Sequence, residues 1–211
     1  MKHFIDNIDK LIIDTINIYN NPNQSTFSIE PSDFINTLYG MYGDLKNSNK
    51  LFECIKTLTT NDLDVGDAYY TKTDGEPTLK KFMVNEARLR QANESRGRMK
   101  NEIDNLFLLI VGKSNLPTAN VRVTNIDSLS AYLDRLSTER IKEYNFKFKQ
   151  NKLEEANHQL KVIKEIKDKI LNLFNEVNIQ NGYVFIGEKR TFDEQKLIKD
   201  VSQVLKDFKN D

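Results

Sequence analysis

The sequence predicts an all-α protein, and three observations support this prediction. Apolar residues recur at spacings of three and four through most of the 211-residue chain, which is the spacing of one helix face. Glycine and proline are scarce, at 8 and 4 residues, so few tight turns are signalled. The apolar segments are also long, and long helices with short connections pack antiparallel around a shared apolar seam. We therefore expect an antiparallel helical bundle with three long central helices and shorter N-terminal and C-terminal helices.

The N-terminal part, residues 1–60, is expected to contain short helices. Helical spacing of apolar residues occurs over 3–19, 33–45 and 51–58. The polar, turn-rich segment 20–33 predicts a loop, and Asn-Ser-Asn at 47–49 is expected to interrupt the helical pattern. Residues 60–77 combine glycine, proline and many polar side chains, which predicts irregular structure before the core of the chain.

The core bundle is expected over residues 78–178, and we assign 1–211 to a single helical domain. The long helices predicted here cover 78–110, about 127–149 and 152–177. Asp127 or Ser128 is expected to cap the second of them, because a short polar side chain there can accept from free backbone N–H groups. Thr191 and Glu194 form a capping-box pattern that predicts a last helix over 191–208.

Composition and charge exclude several classes of function. Lys plus Arg equals Asp plus Glu, at 31 each, so neither nucleic acid nor an anionic membrane is an expected partner. The apolar runs are too short for a membrane span or a signal peptide, and we expect a cytoplasmic protein. The lone Cys54 sits among apolar residues as core filler, and His3 and His158 lie on separate predicted helices. No metal site is expected, and the sequence leaves open whether the protein uses a cofactor.

The helix predicted over 78–110 carries polar residues on its apolar face. Asn85, Arg88 and Arg96 lie among the apolar positions. Asn93 and Asp104 lie along one flank of the same face. A charge moved into a low-dielectric interior costs several kcal/mol unless it is paired, so these arginines require a nearby anion.

The next predicted helix repeats the pattern. Arg140 lies in the middle of its apolar face, with Ser137 at the edge and Asp134 on the flank. Arg135 and Lys142 lie on the far side. If the two helices pack together, we expect Arg140 to converge with the arginines of the preceding helix.

Three interpretations of these inward arginines remain open. They form a bidentate clamp for an anionic small molecule, such as a nucleotide, nucleotide sugar or sugar phosphate. An enzyme of nucleotide or activated-sugar metabolism would use the same pocket, with Asp104 or Asp134 as its acid or base. Alternatively, the arginines are structural partners of carboxylates in an interaction or scaffold protein, with a homo-oligomer formed through the helix over 152–177. Candidate carboxylates for the structural pairs are Glu86, Glu102, Asp104, Asp134 and Glu139.

The segments NESRGRMKNEID (93–104) and DRLSTERIKEY (134–144) resemble an uncharacterised all-helical bacterial family, over about residues 80–185. Members carry Asn-x-x-Arg-x6-Ile-Asp in one helix, followed by Asp-Arg-Leu-Ser, an apolar run, a lysine and an aromatic residue in the next. The matching positions here are Asn93, Arg96, Asp104, Asp134, Arg135, Ser137 and Lys142. The resemblance implies an all-α fold. Members are often encoded near surface-polysaccharide genes, so it also implies a role in sugar-nucleotide or glycan metabolism.

The chain also departs from that family's pattern. The family has a Leu-Trp pair before the first motif, whereas this chain has no tryptophan. Where the family is apolar after Asp-Arg-Leu-Ser, this chain has Thr138, Glu139 and Arg140. Arg140 is therefore a feature of this sequence and not of the pattern that it resembles.

Overall fold

A computed structural model describes residues 2–23, 26–29, 31–71, 79–110 and 128–179. Six α-helices occupy these ranges: α1 (Lys2–Asn20), α2 (Pro31–Tyr42), α3 (Leu45–Thr71), α4 (Leu79–Ile110), α5 (Leu129–Tyr144) and α6 (Leu153–Ile179). A π-helical turn, Asn145–Lys149, follows α5 directly. The helices pack against one another, which confirms the prediction of an all-α helical bundle. The C-terminal helix predicted over 191–208 lies outside the described residues.

The N-terminal half differs from its prediction, because α3 is one continuous helix of 27 residues. Asn47 and Ser48, predicted to interrupt a helix, lie in its first turn. There the Asp44 carboxylate accepts from Asn47 N at 2.9 Å and from Asn47 Nδ2 at 2.6 Å. Short polar side chains favour a helix start because they satisfy N–H groups that have no partner within the helix.

The second half of α3 was predicted to be irregular, and this prediction was wrong. Residues 60–71 stay helical and pack along α4, and Leu63 and Ala68 are buried there. Gly66 lies within this segment with no neighbouring atom within 4 Å of where a Cβ would be. Burial against α4 outweighs the low helix propensity of the local sequence, as tertiary packing commonly does.

Aromatic side chains hold the bundle together at its centre. Phe4, Phe34, Phe52, Phe107 and Phe174 come from five different helices, and all are buried. Their rings lie 5.0–5.5 Å apart between centroids in tilted or edge-to-face pairs. Such pairs contribute about 0.5–1.5 kcal/mol each beyond their buried area. The helix α5 adds fully buried leucines to this core.

Some apolar residues that were predicted to face the core lie at the surface. Phe82 near the start of α4 is 41% exposed, and Leu153 and Leu160 of α6 are also exposed. Within the described ranges, no helix is both long enough and apolar enough to cross a membrane.

Candidate functional site

The three arginines predicted to face inward do not converge, although α4 and α5 are in contact. Arg96 lies between α3, α4 and α5, paired with Asp62 and Asp134. Arg140 points to α1, where it pairs with Asp9. Arg88 was predicted to lie on the apolar face of α4 but is exposed. The expectation of one arginine-lined pocket is therefore wrong, since each guanidinium has its own surroundings.

We call the first group the Arg96 cluster: Asp62, Arg96, Lys100, Asp134 and Ser137. Arg96 Nε donates to Asp134 Oδ1 at 2.5 Å, and Arg96 Nη2 donates to Asp134 Oδ2 at 2.8 Å. The same Nε lies 2.8 Å from Asp62 Oδ1, and Lys100 Nζ lies 3.2 Å from Asp134 Oδ2. Two carboxylates, those of Asp62 and Asp134, therefore meet at the same guanidinium nitrogen, Arg96 Nε.

The Asp62 carboxyl holds its proton unusually tightly. Burial raises its pKa to about 7 from a usual 3.8, and the negative charge of Asp134 adds to that rise, against the opposing charges of Arg96 and Lys100. The Ser137 hydroxyl beside Asp62 also lowers this pKa, although neither Ser137 Oγ nor Asp62 Oδ2 makes a hydrogen bond of standard geometry. Near neutral pH the cluster therefore exchanges a proton.

Arg140 belongs to a second buried group, between α1, α5 and α6. Its Nε and Nη2 donate to the two oxygens of Asp9 at 2.7 and 2.6 Å, and its Nη1 donates to Glu143 at 3.1 Å. Lys167 Nζ bridges Asp9 Oδ2 at 3.0 Å and Asp6 Oδ1 at 2.8 Å. Burial lowers the pKa of Arg140, but the hydrogen bonds and charges of Asp9 and Glu143 outweigh this effect and raise it. The anion that Arg140 requires is a carboxylate of this chain.

The sequence named Asp134 as a candidate partner, and the structure pairs it with Arg96. Two further partner carboxylates, Asp9 and Asp62, were not predicted, although each left a signal. Asp9 lies between Ile5 and Ile12 on the apolar stripe of α1. Asp62 follows Leu58 by four residues on α3 and is also buried. An acid that interrupts an apolar stripe is the counterpart of an arginine that does the same, and pairing such interruptions would have found them.

Asp104 has a structural role at the start of α5. Its carboxylate accepts from Ser130 N at 2.9 Å and from Ser130 Oγ at 2.7 Å. Ser128, one of the two predicted caps, accepts from Ala131 N at 3.3 Å. Both contacts satisfy N–H groups of the first turn of α5, so Asp104 fixes the position of this helix against α4.

The other predicted site residues are dispersed. Asn93 and Arg135 are exposed on α4 and α5. Lys142 is half exposed and pairs with Glu139 at 2.9 Å, three residues earlier on its own helix. Asn85 is buried, and its Nδ2 has no hydrogen-bond partner among the described residues. None of the four contacts the Arg96 cluster through a hydrogen bond.

A groove of about 290 Å³ lies between α3 and α4, and Arg88 is part of its wall. Its lining is Asn61, Asp64, Arg88, Gln91, Ala92 and Ser95. Asn61 is only 8% exposed, and its Nδ2 has no hydrogen-bond partner among the described residues. We call this cleft the α3–α4 groove. Its lining combines the exposed Arg88 with the buried Asn61, whose amide nitrogen has no hydrogen-bond partner among the described residues.

Asp64, on the α3 side of this groove, is hydrogen bonded to Tyr19 of α1. Tyr19 Oη lies 2.8 Å from Asp64 Oδ1 and 3.0 Å from Asp67 Oδ2. Burial raises the pKa of Tyr19 well above its ordinary value, and the hydrogen bonds to the two carboxylates raise it further. The phenol therefore stays protonated and can donate to one carboxylate at a time.

The described ranges hold no group of three or more His, Cys, Asp or Glu side chains placed to bind a metal ion. Cys54 is buried in the core, and burial raises the pKa of its thiol to about 11, with the charge of Glu102 adding to the rise. Comparison of the chain with protein-family models, with curated proteins and with solved structures finds no match.

Proposed function

We propose that the chain is a binding protein for a small molecule, which it holds by an anionic group in the α3–α4 groove, in the cytoplasm. The observation that carries this proposal is the pairing of an open cation with an unsatisfied donor. Arg88 is exposed beside the groove, and Asn61 Nδ2 is buried in its wall without a partner. A carboxylate or phosphate oxygen accepts from both kinds of donor.

The other two arginines support this assignment because their guanidinium groups already bind carboxylates of this chain. Arg96 has both oxygens of Asp134 bound in a bidentate pair, and Arg140 has both oxygens of Asp9. An external anion would have to displace a carboxylate that would then stay buried and unpaired, which costs several kcal/mol. Arg88 carries no such cost, because its guanidinium faces solvent at the groove.

Ligand binding also relieves an energetic cost within the fold. A buried donor without an acceptor costs about 1–3 kcal/mol. Asn61 bears such a cost in its buried position on α3. A ligand oxygen that reaches Asn61 Nδ2 recovers part of that free energy and fixes the orientation of the bound group. Arg88 then supplies attraction, and Asn61 supplies the directional contact.

A thermal-shift and calorimetric panel tests the proposal on the full chain. The panel includes inorganic phosphate, amino acids, sugar phosphates, nucleotides and nucleotide sugars. We expect a subset to raise the melting temperature, and Arg88→Ala to weaken their binding at least tenfold. The matched control is Arg135→Ala, which removes an equally exposed arginine from α5 and leaves binding unchanged. Binding that survives Arg88→Ala, or no binding by any compound, contradicts the proposal.

An interaction or scaffold role is the second candidate, with a second copy of the chain as the partner. It is favoured by Leu153 and Leu160, which lie seven residues apart on one face of α6 and are exposed. Sizing chromatography with light scattering tests it, and Leu160→Glu should shift the mass to that of a monomer. A monomer at high concentration in the unmodified protein would eliminate this candidate.

An enzymatic role is less well supported by the same geometry. The carboxylates proposed as acid or base, Asp104 and Asp134, are both buried and hydrogen bonded within the fold. A general acid or base must come within hydrogen-bond reach of the substrate proton. Asp104 is engaged by Ser130, and Asp134 is engaged by Arg96 and Lys100, so structural roles account for both side chains.

A further inference from the structure

We infer that the ligand of the α3–α4 groove is a small zwitterion of the amino-acid type, whose ammonium group is bound by Asp64 opposite Arg88. This inference rests on the proposed function, because it assumes that Arg88 binds the anionic group. It adds a second charged contact and therefore a substrate class. Asp64 and Arg88 come from different helices and line the same groove, so one ligand can meet both.

The first support is the way in which Asp64 is held. Tyr19 Oη bonds to Asp64 Oδ1 at 2.8 Å, which restricts the rotation of the carboxylate. Among the described residues, Asp64 forms no ion pair with any cation, and Arg88 is not within ion-pair distance of it. A fixed carboxylate without a cation at the edge of a groove is suited to bind an ammonium group from outside.

The second support is the balance of charge in the lining of the groove. The charged residues of that lining are Asp64 and Arg88, one of each sign. A zwitterion presents an opposite charge to each of them, whereas Asp64 repels a dianion such as a sugar phosphate.

The third support is size. The groove measures about 290 Å³, and ligand pockets commonly occupy about 300–1,000 Å³, so it lies at the small end of that range. A nucleotide sugar would extend well beyond its lining, whereas an amino acid can place both charged groups inside. Asn61 Nδ2 then donates to the second oxygen of the ligand's carboxylate, beside Arg88.

Isothermal titration of the full chain with a matched series tests the inference. Glycine, β-alanine and γ-aminobutyrate vary the distance between ammonium and carboxylate. Propionate and ethylamine each lack one of the two charged groups of β-alanine. We expect one zwitterion to bind at least tenfold more tightly than either singly charged compound. Asp64→Asn should abolish this preference without weakening propionate binding, because it removes a negative charge from the lining. Arg88→Ala should weaken the binding of both the zwitterion and propionate.

Two further variants separate positioning from bulk charge. Tyr19→Phe removes the hydroxyl that holds Asp64, so we expect it to reduce the zwitterion preference while propionate binding persists. Asp168→Asn removes an exposed carboxylate from α6 and should change neither. If propionate binds as tightly as every zwitterion, or Asp64→Asn changes nothing, the zwitterion assignment is overturned and anion binding stands. If none of these compounds binds but a phosphate or nucleotide of the thermal-shift panel binds in an Arg88-dependent manner, the zwitterion assignment is overturned and the proposed function stands. If no anionic compound of either set binds in an Arg88-dependent manner, the proposed function itself fails.

Discussion

Replacement of Asp62 by asparagine should remove much of the dependence of this protein's stability on pH. Asp62 is 4% exposed in its side chain and lies 2.8 Å from Arg96 Nε, which already carries Asp134. Burial and the charge of Asp134 raise the folded-state pKa of Asp62 to about 7, against 3.8 in a solvated chain. The folded protein thus binds a proton that the unfolded chain releases between these two values.

The sign and size of the effect follow from that difference. Because the folded state binds more protons than the unfolded state between pH 3.8 and 7, the free energy of unfolding falls as pH rises through this window. A shift of about three pKa units corresponds to about 4 kcal/mol in total, at about 1.4 kcal/mol per unit. More than half of this loss is expected between pH 5 and pH 8. The contribution is complete below pH 3.8 and absent above pH 7.

Urea unfolding at several pH values measures the effect in the unmodified protein and in Asp62→Asn. Other groups titrate in both proteins, so the informative quantity is the difference between the two free energies of unfolding at each pH. We expect that difference to change by about 3 kcal/mol in favour of Asp62→Asn between pH 5 and pH 8. Asp168→Asn, at an exposed site, serves as the control and should show no such trend. A difference that stays constant within about half a kcal/mol would refute the reasoning, because it would mean that Asp62 is ionised throughout.

Three further predictions concern the packing of the bundle, each measured by chemical or thermal unfolding. Arg140→Met should lower the free energy of unfolding by about 3 kcal/mol, the low end for a broken buried pair because Lys167 still contacts Asp9. Asp104→Ala should cost about 1–2 kcal/mol, because it removes both contacts to Ser130 at the start of α5. Gly66→Ala should stabilise α3 by about 1 kcal/mol, since its Cβ meets open space, whereas Gly43→Ala should destabilise by about 1–2 kcal/mol at a φ of +74°.

A specific experimental result would contradict each of these predictions. Adding Asp9→Asn to Arg140→Met should restore part of the lost stability, and a purely additive double variant would show that the pair is not coupled. An unchanged Asp104→Ala would mean that water caps α5 equally well. Equal effects of the two glycine variants would show that the backbone conformation of Gly43 carries no strain.

The buried ion pairs of Arg96 and Arg140 show which contacts the sequence could not predict. The position of Arg140 on the apolar face of α5 could be predicted from the spacing of the leucines on that helix. An arginine in that position requires an anion nearby. Its partner Asp9 lies 131 residues away, beyond any local pattern. In the same way, the position of Arg96 was predictable, but its place between Asp62 and Asp134 was not, since it depends on how α3 and α5 meet α4.

Helical spacing of apolar residues, scarce glycine and a neutral composition are local or whole-chain properties. The sequence by itself therefore determined an all-α bundle in which Arg96 and Arg140 face the interior, although it wrongly placed Arg88 there too. It also indicated a helix cap at Asp127 or Ser128, and Ser128 accepts from Ala131 N, because capping involves only neighbouring residues. Only the tertiary structure decided that α3 continues to Thr71, that the arginines separate, and that Asn61 and Arg88 share a groove. These outcomes depend on which helix faces meet, and contacts between helices distant in sequence are set by the packing of the whole core.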